Sequence, residues 1–167
     1  LARVPQADGR RIAVTGYSLG GLVALFSAAL DSRIGAVSSA CGMGSMRRDA
    51  HGAATEGLAR YSHLRPLLPR LGFFVGHEQH TPTDFDEVLA LIAPRPTLIL
   101  APSLDQDWLP DDVAACCASA QAVYELLGAP HALCLETPND FNRYPPAYQD
   151  IVIRWLAGAL GALAQAV

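Results

Sequence analysis

No apolar run in this chain approaches the roughly 20 residues that a membrane-spanning helix requires, which argues against an integral membrane protein. Basic residues are few and scattered: Lys and Arg number 12 against 16 Asp and Glu, a formal net charge of -4. A surface for phosphate backbones or anionic lipid needs clustered positive charge, so neither nucleic acid nor membrane is expected as a partner. The 4 cysteines, Cys41, Cys116, Cys117 and Cys134, lack metal-ligand spacing, and the adjacent pair falls in a helical stretch where it packs rather than bridges. This usage fits a reducing compartment, with the cytoplasm as the expectation. His77-Glu78-Gln79-His80 fails as a metal motif because it has neither a helical i, i+4 histidine pair nor a third ligand. No metal and no cofactor are therefore expected. There is no basic-then-apolar leader, no repeat and no low-complexity tract, although a chain that opens on Leu1 says little about what precedes it.

What is present is a core-forming composition. Of the 167 residues, 51% are hydrophobic and 17% charged, the balance of one globular domain. Short apolar runs bounded by turn residues predict strands at Arg11–Thr15, Arg33–Ser39, Thr97–Ala101 and Ala132–Glu136. Helices are predicted between them. The first, from Leu19 to about Leu30, places Leu19, Leu22, Val23, Phe26 and Leu30 on one apolar face. A second starts near Asp84, where Glu87 completes a capping box, and stops before Pro94. A third runs from about Asp112 to Leu127 ahead of Gly128, and a last follows Pro146 towards the C-terminus. Strands alternating with crossover helices imply an α/β fold: a parallel sheet of about four strands with helices on both faces. The exception is residues 41–80, an irregular insertion that holds four of the five histidines. Such a segment is expected to be a functional cover or a mobile loop.

The chemistry concentrates in Gly16-Tyr17-Ser18-Leu19-Gly20, a G-x-S-x-G motif between a predicted strand and a predicted helix. So tight a reversal holds the serine in strained geometry, and side chains two residues to either side would collide, which Gly16 and Gly20 avoid. Gly21 lets helix and strand approach closely. Ser18 is then presented at the carboxyl end of the sheet beside the positive end of the helix, where the N–H of Leu19 can donate to an oxyanion. The alternative, a helix N-cap serine after a glycine turn, explains less of the pattern.

On these residues, and on IAPRPTLIL before an acidic loop and IVIRWL in the closing helix, the chain resembles the α/β-hydrolase family. The narrower likeness is to its dienelactone-hydrolase, acetyl-xylan-esterase and prolyl-oligopeptidase-like branch. That resemblance implies further strands and a second oxyanion donor ahead of the nucleophile strand, so the chain is expected to be the C-terminal half of such a domain. It also implies that the acid lies in APSLDQDWLPDD, at Asp105 with Asp107 second, whereas Asp111 and Asp112 read as carboxylates at a helix start.

The resemblance further implies a histidine after the last strand, yet ETPNDFNRYPPAYQD has none, and the position falls at or near Asn142. An amide can orient and donate but cannot take a proton at neutral pH. The substitutes to weigh are His77 and His80 in the insertion, then His51 and His63, with His131 at the far end of the sheet. Three functions follow. The first is a serine hydrolase of acyl or acetyl carboxylic esters working through a Ser18 acyl-enzyme on a small-molecule ester. The second is a catalytically impaired binding domain or fragment lacking the triad histidine, and the third a serine peptidase of the same fold. An open strand edge at Ile12 and Val14 would also promote association.

Overall fold

The computed structural model describes residues 4–5, 8–9, 11–48, 58–64 and 68–165. Within them, β1 (Ile12–Tyr17), β2 (Ile34–Ala40), β3 (Thr97–Leu100) and β4 (Leu133–Glu136) form one sheet in the order β1-β2-β3-β4. Every neighbouring pair is parallel, with Val14 opposite Val37, Val37 opposite Thr97, and Thr97 opposite Leu133. Parallel neighbours need crossovers. These are supplied by α1 (Leu19–Leu30) between β1 and β2, α2 (Phe85–Ile92) before β3, and α3 (Pro110–Leu126) before β4, with α4 (Pro146–Gln165) closing the chain. Burial follows position in the sheet: all four residues of inner strand β3 are buried, whereas in outer strand β4 the first three are partly covered and Glu136 is exposed.

The alternation of side chains along a strand divides the core in two. On one face Val37 and Ile99 pack with Leu22 and Leu25 of α1, Leu89 and Ile92 of α2, and Val113 and Ala120 of α3. On the other, Ala40 and Leu100 meet Tyr148, and Ile151 of α4 packs against that cluster. Helices thus cover both faces of a parallel sheet, as the strand pattern implies. Among the described residues no helix is long and apolar enough to cross a membrane.

The local signals have local causes. The capping box at Asp84 and Glu87 is formed, and the Asp84 carboxylate also accepts from Ser45 Oγ at 2.6 Å and Met46 N–H at 2.7 Å. One carboxylate therefore starts α2 and anchors the chain leaving β2. Helix α3 begins at Pro110 rather than Asp112 because proline suits a first helical turn, where its missing N–H costs nothing.

The predicted face of α1 holds only in part, at Leu22, which is buried, and Phe26, which packs against the core. Gly21, Leu22, Ala24, Leu25 and Ala28 are its buried residues, while Leu19, Val23 and Leu30 stand 38%, 45% and 83% exposed. The helix is apolar nearly all round, so periodicity cannot choose a face; close approach to the sheet chooses the side with the smallest residues. A Cβ at Gly21 would lie 2.6 Å from Ser39 Oγ. Within residues 41–80, the described parts hold one π-helical turn (Arg60–Leu64) and two 3₁₀ segments (Pro69–Phe74 and Glu78–His80), with no longer helix or strand.

Candidate active site

Ser18 joins β1 to α1 with φ 52° and ψ −118°. This left-handed φ is rare for a residue with a Cβ and marks stored strain. The strain is held from both sides: the Ser18 N–H donates to Ala40 O at 2.8 Å, and Ser18 O accepts from Leu22 N–H at 3.1 Å, the opening bond of α1. Although Ser18 stands at the N-cap position, its side chain does not cap the helix. The bland N-cap explanation therefore fails. Leu19 is the first residue of α1, and an N–H there has no acceptor within the helix.

Of the two elbow glycines, only one is sterically required. A Cβ on Gly16 would sit 2.2 Å from the carbonyl carbon and oxygen of Gly20, a collision that requires backbone movement. A Cβ on Gly20 would meet nothing within 4 Å, so the expected crowding at Gly20 is corrected. The reason is directional: the Gly20 carbonyl approaches Gly16 while its α-hydrogens face open space. The second steric requirement falls on Gly21 instead.

Asp105 follows β3 and is 4% exposed. Its Oδ1 accepts from the N–H groups of Asp107 at 2.8 Å and Trp108 at 3.1 Å. The amide nitrogen of Asn142 donates to both carboxylate oxygens, 3.1 Å from each, and lies 3.3 Å from Asp107 Oδ2. Asn142 therefore occupies the place from which a side chain reaches the acid, and it is an amide that does so. Backbone bonds put it there. Ala101 N–H donates to Glu136 O at 2.8 Å, Ser103 N–H to Pro138 O at 2.9 Å, and Leu104 N–H to Asp140 O at 2.9 Å, zipping the loop after β3 to the loop after β4.

Asp107, half-buried and second in line as the acid, pairs with Arg60 Nη2 at 3.0 Å, and the Arg60 guanidinium lies 4.9 Å from the centre of the Trp108 ring. Arg60 thus pins the insertion to the acid loop. Asp111 and Asp112 fall in the first turn of α3, and Asp112 pairs with Arg48 at 2.9 Å, a structural arrangement.

Among the described residues, no bond joins His77, His80 or His131 to Asp105. His77 and His80 lie in and beside the Glu78–His80 segment, where their N–H groups bond to Phe74 O and His77 O. Neither is bonded to Asp105 or Asn142 among the described residues. His131 precedes β4 and so stands at the amino end of a sheet whose carboxyl end carries Ser18. His51 lies outside the described residues, and His63 is described only as part of the Arg60–Leu64 turn.

Two neighbours of the site carry no motif that would announce them. The Tyr17 hydroxyl donates to Asn142 Oδ1 at 2.7 Å, and its ring stacks on Tyr144 with centroids 5.5 Å apart. Cys41, with φ 49°, lies beside Asp105, and its thiol is pushed up to about 12, first by burial and then by the Asp105 charge. It is therefore protonated at neutral pH and a poor nucleophile.

A parallel sheet with helices on both faces, a serine at a strained strand-to-helix elbow and a buried carboxylate after the next-but-one strand define the α/β-hydrolase class. Within that class, the family model for glucuronyl esterases of fungi matches residues 1–128, and the chain belongs to this family. Among solved structures it is similar to a carbohydrate esterase family 15 glucuronoyl esterase from Caldicellulosiruptor kristjansonii. That similarity has a TM-score of 0.76 at 22% identity, over 95% of this chain and 45% of that one. It is similar also to the glucuronoyl esterase catalytic domain from Hypocrea jecorina (TM-score 0.76, 21% identity, 94% and 46%). A third neighbour is the glucuronoyl esterase from Sporotrichum thermophile (TM-score 0.72, 22% identity, 93% and 45%). The chain spans less than half the length of each of these structures. No curated protein sequence matches it.

Proposed function

We propose that this chain carries the nucleophile and the acid of a serine hydrolase of carboxylic esters, within one α/β-hydrolase domain. The observation that carries the reading is the backbone of Ser18, held at φ 52° by bonds to β2 and α1, with a side chain that does not cap the helix it precedes. In this reading Ser18 Oγ attacks the acyl carbon, the oxygen of the tetrahedral intermediate accepts from Leu19 N–H, and the alcohol leaves to give a Ser18 acyl-enzyme that water resolves. Asp105 is the orienting acid. Family membership narrows the acyl group to a glucuronoyl one, and the Sporotrichum thermophile relative was solved with methyl 4-O-methyl-beta-D-glucopyranuronate. The dienelactone-hydrolase and acetyl-xylan-esterase likeness is retained only as a statement about the shared elbow.

Asn142 favours a second reading, in which the site binds a uronoyl ester and turns it over poorly. Losing the base of a serine hydrolase lowers turnover about a millionfold in the best-studied case, subtilisin, roughly 8 kcal/mol, against about 3 to 4 kcal/mol for one oxyanion donor. A surviving Leu19 N–H does not offset that. His77 and His80 are not bonded to Asp105, so neither takes the place of the base in this arrangement.

Labelling with a fluorophosphonate probe, beside a Ser18→Ala control, tests the first reading; labelling that the alanine leaves unchanged would sink it. Binding of a methyl glucuronate ester without measurable methanol release would select the second. Strand β1 is an outer strand of the described sheet, and association through it is part of the proposal; a clean monomer by size-exclusion chromatography would remove that part.

A further inference from the structure

We propose that Tyr17 is a positioning residue that decides what the side chain at position 142 can do, an inference that rests on the assignment of Ser18 and Asp105 above. Tyr17 fills the variable position just ahead of the serine, and its hydroxyl is a donor to residue 142 at 2.7 Å. On the opposite side of residue 142 stand two acceptors, the carboxylates of Asp105 and Asp107. A donor on one side and acceptors on the other suit a group with one oxygen and an NH₂. An amide is that group. Turned over, Asn142 would set its oxygen against two carboxylates and its N–H groups against a hydroxyl, so the surroundings fix the amide as it stands. The stack of Tyr17 on Tyr144 holds the phenol in place from the same loop.

An imidazole at this position has a different inventory. Oriented by Asp105 through one N–H, it keeps a single lone pair, the one needed for the Ser18 proton. The Tyr17 hydroxyl, deprived of the amide oxygen, takes that lone pair. Tyr17 therefore completes the site when residue 142 is an amide and competes with Ser18 when it is an imidazole.

The test compares the chain carrying Asn142→His with the chain carrying Tyr17→Phe and Asn142→His together. Apart from Tyr17 itself, the charged and titratable groups around position 142 are the same in both: Asp105, Asp107 with its partner Arg60, the Cys41 thiol, and Asp140, Arg143 and Tyr144 of the same loop. By NMR titration the new imidazole is expected to have a pKa about one unit higher without the hydroxyl, because a donor into its lone pair favours the neutral ring. Fluorophosphonate labelling of Ser18 is expected to be about tenfold faster in the double variant, the factor that one pKa unit represents. Equal pKa values overturn the proposal. A higher pKa with no labelling in either chain upholds the role of Tyr17 and overturns Ser18 as the nucleophile, so the two failures are distinguishable. Should the histidine variants not fold, Tyr17→Phe alone reads the same bond through the side-chain amide resonances of Asn142: shifted resonances support the proposal, and unchanged ones overturn it.

Discussion

In the elbow, conformation and chemistry reside in the same few residues, whereas in the loop after β4 they come apart. Gly16 and Gly21 are required where they stand, by a 2.2 Å collision and a 2.6 Å approach, and they hold Ser18 between them at a left-handed φ. Residue 142 is placed by backbone bonds of its neighbours, which are indifferent to its side chain. The acid loop lies between these cases, since Asp105 is both the chemical group and the acceptor that folds its own turn around Asp107 and Trp108. Where side-chain chemistry builds the backbone, losing the chemistry loses the structure. Where it does not, a residue can change its chemistry and keep its address.

This contrast can be broken at either end. The largest effect is expected for Gly16→Ala, which should destabilise by more than about 3 kcal/mol or prevent folding, because backbone must move; denaturant unfolding measures it. Asp105→Ala should cost about 3 kcal/mol by leaving the N–H groups of Asp107 and Trp108 and the Asn142 amide without their acceptor, read from the same titration. Asn142→His should raise fluorophosphonate labelling of Ser18 by about a hundredfold, the low end of what a positioned base contributes, with little change in melting temperature. No gain either in this variant or in the one that also carries Tyr17→Phe would mean that position 142 is not the base position.

Gly20→Ala should be neutral or stabilise by up to about 1 kcal/mol, since the methyl meets open space in a helical turn. A loss as large as that of Gly16→Ala would overturn the steric distinction between the two glycines. The smallest effect concerns pH. Arg143 beside Asp140 holds its carboxyl below the usual range, with the Phe141 N–H and the Tyr148 hydroxyl adding to this. A depressed carboxyl contributes stability that is present above its unfolded value of about 3.9 and is lost as pH falls through the folded value. Melting temperature should therefore drop below about pH 4, and less steeply in Asp140→Asn.

The parts legible in the sequence are those whose cause is local. All four strands and four helices follow from runs of neighbours, and the Asp84 capping box from residues three apart. Ser18 was legible because G-x-S-x-G compresses the elbow into five residues. The buried face of α1 was not, because LGGLVALFSAAL offers apolar residues in every direction and the choice is made by clearance against Ser39. Nor was the contact of Tyr17 with Asn142, which joins residues 125 apart through two hydrogen-bonding groups that leave no periodic trace. The same holds for Arg60 against Asp107 and Trp108. Asn142 itself could be located because the loop is bracketed by a strand and a proline-led helix, both of which are local features.

The main-chain zipper between Ser103–Leu104 and Pro138–Asp140 has an evolutionary corollary. Because amide-to-carbonyl bonds span the two loops, a lineage could exchange the reactive group at 142 in one codon step, in either direction, without first repairing a scaffold. Proton transfer in such a lineage is a reversible trait, open to loss and recovery by drift as readily as by selection.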